Sequence, residues 1–223
     1  MQRAEKIRMV KIMKAMRWFI SVLFLVALIA SPQLAEAKLK PITLVAGQQQ
    51  AIAKINAYIN SFQSLKCDFS QVSSKGNLSQ GVLYISKPGK LRFDYAAPNP
   101  LLIVADGRWL TIKDRVRERG DQFPLSATPL RLVVSPQVDL LAETDVVAFD
   151  QRDGLTSVSL QDRKGGMGGY ITLIFDDQLN QLQQWIVVDG KDRRTSVQLS
   201  NIQFGGKFDP KLFVGQINRE PTK

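Results

Sequence analysis

Alternation of apolar and polar residues dominates this chain from about residue 65 to residue 204. The segment Lys90–Tyr95 shows it most clearly, because Leu91, Phe93 and Tyr95 share one side and charged residues fill the other. A period of two is typical of β-strands with one buried face. Further strands are predicted at 65–72, 81–85, 101–105, 109–113, 115–119, 146–150, 157–161, 170–175, 183–188 and 195–204. Short turns separate them, which predicts an antiparallel meander closed or partly closed into a barrel.

Two segments follow a helical period instead. Residues 48–62 predict an N-terminal helix, since one stripe contains Ile52, Ile55, Ile59 and Phe62. The second segment opens with Thr128 and Pro129, residues typical of an N-cap and a first helical position. It continues as a short apolar helix that includes Leu130, Leu132, Val133 and Val134. Another short turn is predicted at 138–142.

Several predicted strands are apolar on both faces, among them 101–105, 171–175 and 185–188. A small antiparallel barrel normally exposes one polar face, so something must cover the second face of these strands. The N-terminal helix and the apolar helix at 129–134 are the candidates. Two interpretations stay open: a fully packed two-layer core, or a barrel interior that is partly empty and holds a lipid.

Residues 1–37 have the three regions of a secretory signal peptide. The first seventeen residues contain six Lys or Arg, residues 18–30 are uncharged, and Ala35-Glu36-Ala37 offers a peptidase site. The uncharged stretch reaches only about 20 Å as a helix, short of the roughly 30 Å hydrocarbon core, which favours a cleaved signal over an anchor. We expect cleavage before Lys38, a single domain over 38–223, and a soluble protein in an oxidising, extracytoplasmic space.

The composition excludes several kinds of site. The chain has no histidine, which removes Ser-His-Asp triads, Cys-His dyads and histidine-ligated zinc or haem. Cys67 is the single cysteine, so neither an intrachain disulfide nor a thiolate cluster can form. No G-x-S-x-G motif occurs, and the glycine run at 165–169 lacks the Lys-Ser/Thr end of a phosphate loop. We therefore expect no catalytic residue, no metal and no cofactor.

The net charge of +10 raises nucleic acid as a partner, but its distribution argues against one. Six of the basic residues lie in the predicted signal peptide. Those of the remaining chain are interleaved with acids, as at 113–115 and 191–194, which indicates a solvated surface rather than a phosphate-binding stripe. We expect no nucleic-acid partner.

A series of short motifs resembles the LolA-type periplasmic outer-membrane lipoprotein carriers. The similarity extends from about residue 48 to residue 213. It rests on four pieces in a fixed order: KPGKLRFDY at 87–95 with Pro98, LIVADG at 102–107, TPL at 128–130 before an apolar run, and DP at 209–210 before Phe213.

The resemblance implies a mainly β fold with some helix, an incomplete antiparallel β-barrel of about eleven strands with an N-terminal helix and a helical lid. It implies a monomeric periplasmic chaperone, not an enzyme, that accepts triacylated lipoproteins from an ABC-type exporter in the inner membrane. The carrier then delivers them to a lipoprotein receptor in the outer membrane. That receptor shares the fold but is lipidated at a cysteine, so Lys38 favours the soluble carrier.

The resemblance also implies a set of site residues. The lipid cavity is expected to be lined by Leu91, Phe93, Tyr95, Ile103, Leu110 and Ile112. The lid is expected to contain Thr128, Pro129, Leu130, Leu132, Val133 and Val134. Lys87 stands where the family has an arginine that holds the empty lid closed, and it can donate to carbonyls near Leu132 and Val133 without the planar fork of arginine. A packed core and an ordinary solvated lysine are the alternatives.

Two other functions stay open at this stage. The same fold could carry another lipid or sense mislocalised lipoproteins. The chain could also be a periplasmic lipid-ester hydrolase, although the absence of histidine disfavours this class.

Overall fold

The computed structural model describes residues 39–163, 169–176 and 181–215. The predicted signal peptide, most of the glycine-rich turn at 165–169 and the turn at 177–180 lie outside the described residues. Three α-helices lie within these described ranges: α1 at Ala46–Ser61, α2 at Arg131–Val134 and α3 at Leu140–Glu143. Eleven strands follow in chain order: β1 Ser64–Val72, β2 Leu78–Ser86, β3 Lys90–Tyr95, β4 Leu101–Asp106, β5 Trp109–Asp114, β6 Arg119–Pro124, β7 Thr144–Arg152, β8 Leu155–Asp162, β9 Tyr170–Asp176, β10 Gln181–Val188 and β11 Arg194–Phe204.

All eleven strands form one antiparallel sheet in the order β6-β5-β4-β3-β2-β1-β11-β10-β9-β8-β7. Each half of the sheet is a meander of consecutive strands, and β1 pairs with β11 to join the two halves. Strands β6 and β7 are the edges and do not pair with each other, so the barrel stays open. The predicted incomplete antiparallel barrel with an N-terminal helix is confirmed.

One face of the sheet, called here the inner face, carries Leu91, Phe93 and Tyr95 of β3. The register places Ala105 opposite Leu91 and Ile103 opposite Phe93. Helix α1 packs its apolar stripe onto this face, as its spacing predicts. A single hydrophobic cluster, the inner cluster, unites this face with α1 and with the segment 125–140. The fold therefore has two layers, the sheet and the helices, with this cluster between them, as expected when an amphipathic helix packs on a sheet with one apolar face.

The outer face of β3–β5 is covered by the C-terminal segment, not by a helix as the sequence suggested. Val104 and Phe213 are 1% and 3% exposed, yet both lie outside the inner cluster. A short 3-10 turn at Pro210–Phe213 lies on these strands, and Arg92 Nη1 donates to the Leu212 carbonyl at 3.1 Å. Both helices predicted to cover the second face pack on the inner face instead. The outer face is therefore covered by the C-terminal segment.

Strand β6 begins at Arg119, so the prediction of a strand at 115–119 is wrong. Asp114 makes residues 115–118 a turn, because its Oδ1 accepts from the amides of Val116 and Arg117 at 2.9 Å each. Glu118 has a φ of 53°, a left-handed conformation that is incompatible with a strand.

Thr128 does not act as the predicted N-cap. Its hydroxyl donates to the Leu125 carbonyl at 2.9 Å and thereby closes the preceding 3-10 turn at Leu125–Ala127. Helix α2 starts three residues later, at Arg131, without a side-chain cap. The hydroxyl of Thr128 binds the earlier turn because the carbonyls at the end of a 3-10 turn, like those at the end of an α-helix, lack a full set of donors within the turn.

Candidate functional site

The six residues predicted to line a cavity lie together on the inner face. Across β3, β4 and β5 the register aligns five of them in two rows, one through Leu91 and Leu110 and one through Phe93, Ile103 and Ile112, and Tyr95 continues the same side of β3. Four of the six are buried, the exceptions being Ile103 and Ile112, which are half-buried. The alternation along three strands therefore brings these six side chains to one surface.

Aromatic rings occupy the middle of this surface. Phe69 meets Phe93 and Tyr95 edge to face, with ring centroids 5.0 Å apart in both pairs. Phe93 also contacts Trp185 at 6.0 Å in a T-shaped arrangement. Tyr95 donates its hydroxyl to Gln71 at 2.8 Å, and burial raises its pKa to about 12. These rings pack against one another and are buried beneath the elements above the sheet.

The predicted lid lies over the inner cluster. Leu132, Val133 and Val134 are at most 1% exposed and belong to that cluster, whereas the other three predicted lid residues, Thr128, Pro129 and Leu130, are half-buried. The lid therefore turns its three aliphatic side chains of α2 toward the sheet. At about 1.5–3 kcal/mol for each fully buried aliphatic side chain, exposing them would cost about 5–9 kcal/mol.

Hydrogen bonds to the main chain hold the C-terminal end of the predicted lid and the segment that follows it. The Gly89 amide, in the turn between β2 and β3, donates to the Val134 carbonyl at 2.7 Å. Asn60 of α1 makes two bonds to Val138, since its Nδ2 donates to the carbonyl and its Oδ1 accepts from the amide, both at 2.9 Å. Asn56, one helical turn earlier, accepts from the Leu140 amide at 3.1 Å. Sequence reasoning missed these residues because nothing local marks contacts to a segment about eighty residues away.

Arg131 is the charged anchor of the lid. Its guanidinium bridges Glu143 of α3 at 2.5 Å and Asp162 at the end of β8 at 3.3 Å. The Asp162 side chain is only 5% exposed, so this pair is largely removed from water. A planar guanidinium suits such bridging of two carboxylates. The lid is thereby tied to the half of the sheet that contains β7 and β8.

Lys87 has a different partner from the expected one. Its ammonium donates to the carbonyl of Ile59 in the last turn of α1, not to carbonyls near Leu132 and Val133, and it lies 4.3 Å from the Phe62 ring centroid. The last carbonyls of a helix lack intrahelical donors and form its negative end, which makes them a favourable target for an ammonium. Lys87 thus secures the end of α1, and the neighbouring Gly89 contacts the lid.

Burial lowers the pKa of Lys87 to about 8, from an ordinary value of 10.5. Between these two pH values the unfolded chain binds more protons than the folded one, so stability rises with pH through this window. From pH 8 to pH 10.5, we expect the unfolding free energy of the unmodified protein to rise by about 1–2 kcal/mol relative to that of Lys87→Met. This is less than the full pKa shift would give, because the site is only partly shielded from water. Urea denaturation at several pH values measures this.

The exposed lysine of the β10–β11 turn provides the control for that experiment. Lys191→Met should leave the unfolding free energy close to that of the unmodified protein, since Lys191 is exposed. A difference between Lys87→Met and the unmodified protein that does not change with pH would contradict the assigned environment of Lys87.

A cleft of about 650 Å³ opens where the lid meets two hairpin turns. Its walls are the turn at 88–90, the turn at 106–108 and the lid segment, with Leu125, Val134 and Pro136 as apolar lining. Lys90 and Arg108 are cationic residues at its border. The Gly89–Val134 hydrogen bond lies at the same place, where the predicted lid meets the turn between β2 and β3.

Other chemistry is sparse in the part of the chain that the structure describes. Cys67 is buried on the inner face, and burial raises its pKa to about 12, which disfavours a reactive thiolate. Residues 39–163, 169–176 and 181–215 contain no group of three His, Cys, Asp or Glu that could hold a metal ion. Over the same residues, no helix is both long and apolar enough to cross a membrane.

Comparison with known proteins gives a family match over most of the chain. Residues 60–216 match the model of "Outer membrane lipoprotein carrier protein LolA". An outer-membrane lipoprotein carrier protein of Xylella fastidiosa is 30% identical over 184 residues, which cover 77% of this chain and 84% of that protein. The corresponding protein of Chromobacterium violaceum is 32% identical over 109 residues, 46% of this chain and 53% of its own length.

Among solved structures, a LolA superfamily protein from Nitrosomonas europaea is 10% identical with a TM-score of 0.43, and the match covers 74% of this chain and 96% of that one. The family match over residues 60–216 and the Xylella relative carry the assignment. The chain belongs to the LolA family of outer membrane lipoprotein carrier proteins.

Proposed function

We propose that this chain is a soluble periplasmic carrier for the acyl chains of triacylated lipoproteins. It accepts them from an ABC-type exporter of the inner membrane and delivers them to a lipoprotein receptor of the outer membrane. Family membership supports a carrier role in general. The observation that carries the finer proposal is the lid, whose aliphatic side chains close an apolar inner face through few polar contacts.

The energetics of acyl chains favour such a carrier. Each methylene in water costs about 0.8 kcal/mol, so a chain of about sixteen carbons costs on the order of 10 kcal/mol. Three such chains outweigh the 5–9 kcal/mol needed to expose the lid side chains. Binding is therefore favourable relative to acyl chains in water, while reclosure of the lid lowers the net affinity and permits release.

We propose that acyl chains enter at the cleft beside the lid. Lid movement breaks the Gly89–Val134 hydrogen bond, and the chains then replace α2 above Leu91, Phe93 and Tyr95. Lys87 favours the empty closed form indirectly, because it holds the end of α1 against which residues 138–140 are bonded. In this scheme the chain binds and transfers, and no residue of the site performs covalent chemistry.

We further propose that the signal peptide at 1–37 is cleaved and that residues 38–223 act as one domain. Export would place the carrier between the two membranes, where the cargo has to cross water. The lysine after the cleavage site would leave the mature protein without a lipid anchor, as transfer between membranes requires.

A release assay tests the function. Inner-membrane vesicles that contain the exporter and a labelled triacylated lipoprotein are incubated with the purified protein and ATP. We expect the lipoprotein to appear in the soluble fraction bound to the protein, and to stay in the membrane without ATP. A soluble fraction free of lipoprotein would reject the proposal. Mass spectrometry of co-purifying lipids would then distinguish a carrier of another lipid, and turnover of an ester dye would indicate a hydrolase.

A further inference from the structure

A second cavity lies on the opposite side of the sheet from the lid. It has a volume of about 390 Å³ between the outer face of β4 and β5 and the C-terminal segment. Its lining residues are Leu102, Val104, Thr111, Lys113, Lys211 and Val214. None of these residues belongs to the inner cluster, so the sheet separates this cavity from the inner face. The cavity is therefore distinct from the proposed acyl-binding site.

The floor of this outer cavity is apolar, and part of its apolar border is exposed. Val104 is 1% exposed and forms its base, Leu102 is half-buried, and Val214 is 51% exposed at its border. Exposed aliphatic groups in a concavity are a favourable contact for a hydrocarbon chain. A volume near 400 Å³ lies at the small end of ligand pockets, which suits one chain and not a two-chain lipid.

Two ammonium groups flank this floor without a carboxylate partner. Among the described residues neither Lys113 nor Lys211 forms an ion pair. The nearby carboxylates are engaged: Asp94 binds two arginines at 2.7 and 3.0 Å, and Asp209 accepts from the Lys211 amide at 2.9 Å. Lysine stems can lie along apolar surface while their charged ends remain at its border. The arrangement thus presents positive charge beside an apolar concavity.

A buried hydroxyl completes the polar side of the cavity. Thr111 is 3% exposed, and its Oγ1 accepts from Gln122 Nε2 at 3.2 Å, which leaves the hydroxyl proton available to an oxygen in the cavity. Gly215 lies directly above it, since a Cβ at that position would be 2.7 Å from the Thr111 Oγ1. A side chain at this position would collide with the hydroxyl, so only glycine permits this close approach.

We propose that the outer cavity binds a single-chain amphiphile with an anionic head. Its hydrocarbon chain lies on Leu102, Val104 and Val214. The head accepts from the Thr111 hydroxyl and from the two lysines. A fatty-acid carboxylate and the phosphate of a single-chain phospholipid share this chemistry. The site does not depend on the lid or on lipoprotein cargo.

Methyl NMR on the full mature chain tests the proposal, because it separates the two faces of the sheet. Dodecanoate is titrated into protein with labelled leucine and valine methyl groups. We expect saturable shifts at Val104 and Val214, whatever happens at Leu91 and Val133 on the inner face. Dodecyl phosphate serves as the second arm of the titration. Tighter binding of dodecanoate would identify a fatty acid as the natural ligand, and tighter binding of dodecyl phosphate a single-chain phospholipid. Dodecyltrimethylammonium, with the same chain and a positive head, should not shift the outer methyl groups.

Three variants define the contacts. The double substitution Lys113→Gln and Lys211→Gln should weaken dodecanoate binding at the outer methyl groups about tenfold, since it removes two ion pairs. Gly215→Ala should weaken it without a change of charge, and Lys191→Gln, on a remote turn, should leave it unchanged. Outer methyl groups that do not respond to dodecanoate, or that respond equally to the cationic amphiphile, would overturn the proposal.

Discussion

Replacement of Arg131 by methionine is expected to open the lid and destabilise the protein by about 3 kcal/mol, the usual range for breaking a buried ion pair. The substitution keeps an unbranched side chain but removes the guanidinium from Asp162, which is 5% exposed, and from Glu143. A lid that has lost this anchor should expose Leu132, Val133 and Val134 more often. We therefore expect a lower urea midpoint, faster amide exchange at 131–135 and stronger binding of an apolar fluorescent dye.

Arg152→Met is the matched control for this experiment. Arg152 also pairs with an aspartate, Asp150, but the two side chains are 75% and 47% exposed. Exposed pairs contribute about 0–1 kcal/mol, so this variant should remain close to the unmodified protein. Equal stability and equal dye binding in the two variants would show that Arg131 does not anchor the lid.

Truncation of Phe93 is expected to have the largest effect in the inner cluster. Phe93→Ala removes a ring that contacts Phe69, Tyr95 and Trp185, and such truncations cost about 3–5 kcal/mol. The space it leaves is apolar, and apolar cavities in proteins take up hydrocarbon ligands. If this surface receives acyl chains, a short alkane should restore a measurable part of the lost stability.

Thermal unfolding with and without the alkane measures both parts of this prediction. Phe123→Ala is the control, since Phe123 on the edge strand β6 is 45% exposed and should lose well under half as much stability. A Phe93→Ala protein as stable as this control would contradict the packing described above. A fully destabilised variant that gains nothing from the alkane would argue against ligand access to the inner face.

Features encoded by short-range alternation could be predicted from the sequence. Strand β3 has the predicted bounds, Lys90–Tyr95, because every second residue reports directly which face is buried. The apolar stripe at helical spacing also predicts α1, although the helix spans Ala46–Ser61 and not 48–62, so Phe62 lies just beyond its end. The six candidate cavity residues follow from this alternation and from the resemblance, and they share one face.

Features that depend on distant partners could not be predicted. Strand β6 begins with Arg119, Gly120 and Asp121, which carry no alternation, and it forms because β5 offers main-chain hydrogen-bonding groups. Lys87 could reach carbonyls of α1 or of the lid, and only the three-dimensional arrangement places the Ile59 carbonyl of α1 next to its ammonium. Asn60 is 78 residues from the segment that it holds, and no local signal marks it.

The pairing of β1 with β11 also determines how the chain must fold. The first and last strands lie side by side in the middle of the sheet, so this ladder closes a loop of more than a hundred residues and carries a high entropic cost. Within each of the two flanking meanders every strand pairs only with its neighbours in sequence, so each meander can form from local pairings. The β1–β11 ladder has to wait for the segment from Arg194 onward, so the two halves of the sheet are joined only after the last strand is available.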